Sequence, residues 1–119
     1  MCHTPGQNVV KSVLVSLGGR YVLCVLPACR RLDLDRVARV CFADVAWVAS
    51  EYELGNVFHD CECGAQPPFG KPYGLMTIMD ESLRGNEYIV FPAGAFTETY
   101  KMLLRDYEYL AEPVVARIA

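Results

Sequence analysis

A lysine set among apolar residues is the first position in this chain that could do chemistry. From Val9 to Leu17 the residues alternate: Val9, Lys11, Val13, Val15 and Leu17 share one side, and Ser12, Leu14 and Ser16 share the other. A period of two is that of an extended strand. Lys11 therefore points where a core is expected, which is costly for an ammonium that is neither paired nor wet. Two readings are open. Near the start of the strand its apolar stem can run along the core and deliver the charge to solvent. Alternatively the charge is aimed into a cleft, where low dielectric strengthens its pull on a phosphate or a developing oxyanion.

The second position is the run Gly64-Ala65-Gln66-Pro67-Pro68-Phe69-Gly70. Its prolines fix the backbone and its glycines remove side chains that would block a close approach. Such a loop can present rigid backbone amides to a ligand, as an oxyanion hole requires; an ordinary proline-rich turn has the same composition. Pro92-Ala93-Gly94-Ala95 is a turn of small residues after an apolar run. His59-Asp60-Cys61-Glu62-Cys63 invites a metal reading, but zinc sites space paired cysteines by two to four residues and need further ligands elsewhere. The other histidine, His3, stands near the terminus, so no metal is expected. There is no Gly-x-Ser-x-Gly elbow, no phosphate-binding Gly-x-x-x-x-Gly-Lys loop and no His-Glu-x-x-His.

The elements that must position these residues follow from periodicity and punctuation. Gly18-Gly19 after the first strand is a two-residue hairpin signal, with Tyr21–Leu26 as the return strand and Pro27 as its stop. Asp33 can cap a helix in which Leu34, Val37, Ala38 and Cys41 recur at helical spacing. Val45–Ala49 reads as a short strand, and Ser50-Glu51-Tyr52-Glu53 as the capping box of a short helix. The proline- and glycine-rich stretch Asp60–Tyr73 is loop. Leu75–Met79 and Tyr88–Phe91 read as strands, Thr97–Lys101 as another, and Leu103, Tyr107, Leu110 and Ala111 mark a closing helix. Interleaved strands and helices with a tight hairpin make the expected class α+β with a mixed sheet and packed helices.

The length, 119 residues, fits one domain, expected over 1–119. At 53% hydrophobic and 21% charged residues there is ample core and no signature of disorder. The longest apolar runs, such as Val22–Ala28, are too short to span a bilayer, and the first residues lack the pattern of a secretory signal. A cytoplasmic protein is expected, with no membrane and with reduced thiols; Cys24 and Cys41 stand where a thiol behaves as a small hydrophobe. A net charge of −3 argues against broad nucleic-acid binding but leaves room for a local basic patch.

Taken in order, the pieces resemble the YbaK/ProX family, which includes the editing domain inserted in bacterial prolyl-tRNA synthetases. The matching text begins at Val10-Lys11-Ser12-Val13-Leu14-Val15 and continues through Tyr21-Val22-Leu23, Leu26-Pro27-Ala28 and Arg31-Leu32-Asp33-Leu34. Ala49-Ser50-Glu51, Asp60-Cys61-Glu62 and the Gly64–Gly70 loop follow, then Asp80-Glu81-Ser82-Leu83, Phe91-x-Ala93-Gly94 and Arg105-Asp106-Tyr107. Together they cover roughly residues 8 to 115.

The resemblance implies a hydrolase for the ester between an amino acid and the terminal ribose of tRNA, working without metal or cofactor. In similar proteins the lysine matching Lys11 holds the phosphate beside the terminal adenosine. The glycine matching Gly64, in a Gly-x-x-x-Pro pattern completed by Pro68, lines the aminoacyl pocket with its backbone. The substrate's own ribose hydroxyl helps position the attacking water, which agrees with the missing protein nucleophile. Lys11 and Gly64 are thus the expected catalytic residues, with Ser12, Pro68, Phe69, Gly70, Asp80, Ala93, Gly94 and Phe96 expected around the substrate. The implied partners are the acceptor end of aminoacyl-tRNA and prolyl-tRNA synthetase; a homodimer is expected because so small a domain without a covering segment leaves apolar surface exposed. Two departures stand out. Many relatives carry a histidine near Ala95-Phe96, and many have a helical segment ahead of the lysine strand, where this chain has ten residues before Lys11. A non-catalytic aminoacyl-tRNA or nucleotide-binding module of the same fold is the alternative.

Overall fold

Two glycines turn the first strand back on itself. In the computed structural model, which describes residues 8–62, 64–92, 94–95 and 97–119, β1 (Val10–Ser16) and β2 (Tyr21–Pro27) pair antiparallel, from Val10 opposite Pro27 to Ser16 opposite Tyr21. Gly18 takes a φ of +90°, which a side chain would strain, and the Leu17 amide closes the turn on the Arg20 carbonyl at 2.9 Å. The hairpin is the one the glycine pair predicts.

Around it grows a five-stranded mixed sheet. β3 (Trp47–Val48) lies antiparallel on β1, while β4 (Met76–Asp80) runs parallel to β2, and β7 (Val114–Ala116) parallel to β4. The order is β3-β1-β2-β4-β7. β5 (Tyr88–Pro92) and β6 (Thr99–Leu103) form a separate antiparallel ribbon, joined to the sheet's start by a parallel bridge between Val9 and Val90. The class is α+β with a mixed sheet, as expected.

The helices start where their caps lie. α1 (Leu34–Val40) begins at Asp33, whose carboxylate accepts the amides of Asp35 and Arg36 at 3.1 and 3.2 Å. α2 (Glu51–Val57) opens with the Ser50/Glu53 capping box, both reciprocal bonds present. α3 (Leu104–Ala111) closes the ribbon side of the molecule.

Alternation along the strands sorts the core into two faces. Val13, Val15, Val22, Cys24 and Ile78 pack with Val37 and Cys41 of the α1 segment. The opposite face carries Val10, Val25 and Met79 under Phe91, Leu104 and Tyr107, and beside them Leu14 and Leu23 under Phe58. Lys11 stands opposite Leu26 and alternates with the α1-facing residues, whereas Ser12 belongs to the other face.

Several expectations shift. The strand expected over Val45–Ala49 is only Trp47–Val48, because β1 offers it two partners, Val15 and Ser16. The strand expected at Thr97–Lys101 runs Thr99–Leu103, where it pairs with β5 in register. β7 answers to no element expected from the sequence; it is a strand because β4 presents a parallel edge and Asp80 binds the residues just beyond it. The reduced-thiol expectation holds for Cys24, Cys41 and Cys61 but not for Cys29, which is in a disulfide. Burial pushes the Cys24 thiol up to about 12, so it stays neutral.

Candidate functional site

The Gly64–Gly70 loop is clamped to the fold along its length. The buried Gln66 side chain donates to the Ser12 carbonyl of β1 at 2.7 Å. The Tyr107 hydroxyl of α3 donates to the Pro68 carbonyl at 2.7 Å, and the Gly70 amide donates to Thr77 Oγ1 of β4 at 2.9 Å. At the loop's start the Ala65 carbonyl accepts the Gly94 amide at 2.9 Å, and the Gly94 carbonyl accepts the Glu62 amide at 2.7 Å. Backbone hydrogen bonds therefore tie the loop's start to Gly94, just beyond β5.

Two of its glycines are required for different reasons. Gly64 has a φ of +87° and is exposed, so its backbone is open to solvent. Gly70 is buried, and a Cβ there would meet Thr77 Oγ1 at 2.6 Å and the Leu75 carbonyl oxygen at 2.7 Å. The absent side chain at Gly70 serves packing.

Beside the loop, on the face away from α1, lies an apolar groove of about 430 Å³. Phe69, Phe91, Tyr100 and Met102 form its walls, with Gly94 at its edge. The Phe69 ring is fixed against Phe91 at 5.8 Å and against Tyr107 at 5.2 Å between centroids. Asp60 is the one formally charged group among the described lining residues. The Tyr73 hydroxyl donates to both its oxygens, at 2.8 and 3.1 Å, and this bond holds the carboxyl below its ordinary range. The neighbouring Cys61 Sγ lies 3.6 Å from the same hydroxyl, and burial raises its pKa. Cys61 is thus a neutral thiol, poorly suited to act as a nucleophile.

A second groove, of about 530 Å³, opens on the α1 face. Lys11, Arg30 and Arg31 line it together with Leu32, Leu34 and Val48, and no acidic residue is among its described lining. Among the described residues, the ion pairs are Arg36 with Asp33, Lys71 with Glu112 and Arg84 with Glu108, so these three cations have no carboxylate partner. Lys11 is half-buried, as are Val13, Leu32 and Leu34 in the same groove.

The expected site residues are therefore divided. Lys11 lines the cationic groove; Phe69 and Gly94 line the apolar one; Gly64, Pro68 and Gly70 belong to the clamped loop. Ser12 contributes its carbonyl to the clamp. Asp80 is placed in neither groove. It is buried, and its carboxylate accepts the Ser82 amide at 3.2 Å, the Ser82 hydroxyl, and the amides of Ile118 and Ala119 at 2.9 and 3.1 Å. It anchors the last strand's exit instead of facing a ligand. Ala93 and Phe96 lie outside the described residues, as does Cys63. Among the described residues no group of three His, Cys, Asp or Glu is placed to hold a metal.

Sequence reasoning missed Gln66, Tyr107, Asp60 with Tyr73, and the Arg30-Arg31 pair. Some signals were there. Tyr107 put a polar handle inside an apolar helical stripe, and two arginines followed a strand stop in a chain with few cations. Nothing in the sequence placed Tyr73 against Asp60.

The chain thus carries a cationic groove on the α1 face of the sheet and an apolar groove beside the clamped Gly64–Gly70 loop. The chain belongs to the aminoacyl-tRNA editing domain family, whose model matches residues 1–110. Among solved structures, a candidate trans-editing enzyme for prolyl-tRNA synthetase superposes with a TM-score of 0.84 at 21% identity, over 95% of this chain and 71% of that one. A hypothetical protein gives 0.85 at 18% identity, over 95% and 75%. A candidate signal transduction protein from Marinobacter aquaeolei VT8 gives 0.80 at 17%, over 95% of this chain and 25% of that one. At these identities the structures establish the fold. No match to a curated protein was found. No helix among the described residues is long and apolar enough to cross a membrane.

Proposed function

We propose that this chain is a trans-editing hydrolase that cleaves the ester of mischarged aminoacyl-tRNA, with proline tRNA carrying a small wrong amino acid as its substrate. The observation that carries the reading is the clamped Gly64–Gly70 loop, walled by an apolar groove and tied to Ser12, the neighbour of Lys11. In the proposed complex Lys11, with Arg30 and Arg31, holds phosphates of the acceptor end. The exposed backbone at Gly64 faces the ester, and the groove beside Phe69 and Gly94 takes the amino-acid side chain. The ribose hydroxyl of the substrate orients the water. An aminoacyl ester is already labile, and positioning with oxyanion stabilisation supplies several kcal/mol more.

The same proposal includes a cytosolic location, passing association with prolyl-tRNA synthetase, and a homodimer. For the dimer the support is an exposed apolar stretch, Phe42, Val45, Trp47 and Val48, at the β3 edge of the sheet. Light scattering at high micromolar concentration tests it, and a clean monomer removes it. Phe96, in place of the family's histidine, is proposed to favour alanine over serine or threonine, because an apolar pocket sorts mainly by size.

One observation favours a second reading, a binding module of the same fold without turnover: Lys11 and Phe69 line different grooves. A panel of proline tRNAs charged with alanine, cysteine, serine or threonine separates the two. Acyl groups lost faster with protein than in buffer support hydrolysis. Binding with no faster loss supports the module.

A further inference from the structure

The apolar groove holds a charge that its walls do not need. Asp60 is exposed, yet it lines a groove otherwise built from Phe69, Phe91, Tyr100, Met102 and neutral small residues. Its carboxylate is held in place by the Tyr73 hydroxyl, and the Tyr73 ring is itself packed on Phe58 at 4.4 Å between centroids. An ionised carboxylate offers about four acceptor positions. Tyr73, the weak Cys61 contact at 3.5 Å and the residue's own backbone amide occupy part of this capacity and leave the rest open.

We propose that Asp60 is the counter-ion for the α-ammonium of the bound aminoacyl group, so that the groove selects acyl esters bearing a free amine. The inference rests on the editing reading and names what that reading leaves open, namely how an aminoacyl ester is told from any other acyl ester. An aminoacyl ester differs from a simple one by a cation beside its carbonyl, next to a small side chain. The groove offers the complement of both: one fixed anion, and an apolar wall whose aromatic faces attract a cation further. The hydrogen bond from Tyr73 favours the ionised form of Asp60, which is the form an ammonium requires.

The test uses the full chain and its Asp60→Asn variant, in which the amide oxygen still accepts from Tyr73. Alanyl-tRNA and N-acetyl-alanyl-tRNA are hydrolysed with and without protein, and each rate is divided by its own rate in buffer, because acetylation by itself slows the ester. The wild type is expected to accelerate the free-amine substrate at least about tenfold more than the acetylated one. Asp60→Asn should erase that difference by slowing only the free-amine substrate. Equal acceleration of both substrates by the wild type, or discrimination unchanged in the variant, overturns the proposal. If the wild type accelerates neither, the hydrolytic reading fails, and the proposal is decided by binding. A non-hydrolysable 3′-alanylamido adenosine should then bind the wild type at least about tenfold tighter than its N-acetyl form does, while the variant binds the two forms equally. Equal affinity of the wild type for the two forms contradicts the proposal.

Discussion

The two grooves beside β1 differ in what their walls can hold. On the α1 face, three cations stand without a carboxylate among the described lining residues. On the opposite face a single carboxylate sits among aromatic and aliphatic walls. The chain as a whole carries a net charge of −3, which masks both. Strand alternation sends Lys11 to the α1 face, since Lys11 and Ser12 are neighbours in sequence and face opposite ways.

The largest expected effect breaks one groove and spares the other. In Gly70→Ala the new methyl would fall 2.6 Å from Thr77 Oγ1 and 2.7 Å from a backbone oxygen that cannot yield cheaply. Overpacking of this kind should cost about 3 kcal/mol in a urea melt. At temperatures where the variant is folded, RNA affinity through the cationic groove should persist while deacylation falls. A loss below about 0.5 kcal/mol contradicts the close-approach account.

Next comes a residue placed in neither groove. Burial alone would raise the pKa of Asp80, but the Ser82 hydroxyl and the amides of Ile118, Ser82 and Ala119 outweigh it, and the net shift is downward from the ordinary 3.8. A depressed folded value means stability that is present above the ordinary pKa and lost as pH falls through the depressed one. Asp80→Asn should therefore cost about 2 kcal/mol near neutrality, with the gap to wild type narrowing only below about pH 4. A gap that stays constant down to pH 2 refutes the clamp. Activity per folded molecule should not change.

The smallest of these effects concerns the cationic groove. Replacing both Arg30 and Arg31 by alanine should lower the slope of log affinity against log salt by about 1.4, since each phosphate contact to a single strand contributes about 0.7. Preference among acyl groups, set in the other groove, should stay as in wild type. An unchanged slope removes the two arginines from the RNA path.

Local signals were legible in the sequence; residues that meet across the fold were not. Gly18-Gly19, the Asp33 cap and the Ser50/Glu53 box each act within a few residues, and each element starts where its cap stands. β7 was hidden because three residues after a proline carry no period, and only the β4 edge makes them a strand. The loop was recognised, but its glycines and prolines suggested ligand contact throughout. Gly70 and Pro68 in fact meet Thr77 and Tyr107. Asp80 was expected near the substrate on the resemblance, and an acid at a strand's end can either face a ligand or clamp backbone. The chain's last residues, far away in sequence, decide between them.

The central claim is that the chain removes a wrong amino acid from tRNA with Lys11 gripping the acceptor end. Single-turnover deacylation of alanine-charged proline tRNA by wild type and Lys11→Ala tests it most directly. The account predicts hydrolysis by the wild type well above the buffer rate. The variant should be at least roughly tenfold slower, about 1.4 kcal/mol in transition-state terms, with its thermal midpoint nearly unmoved. A variant as fast as the wild type, or a wild type no faster than buffer, contradicts it.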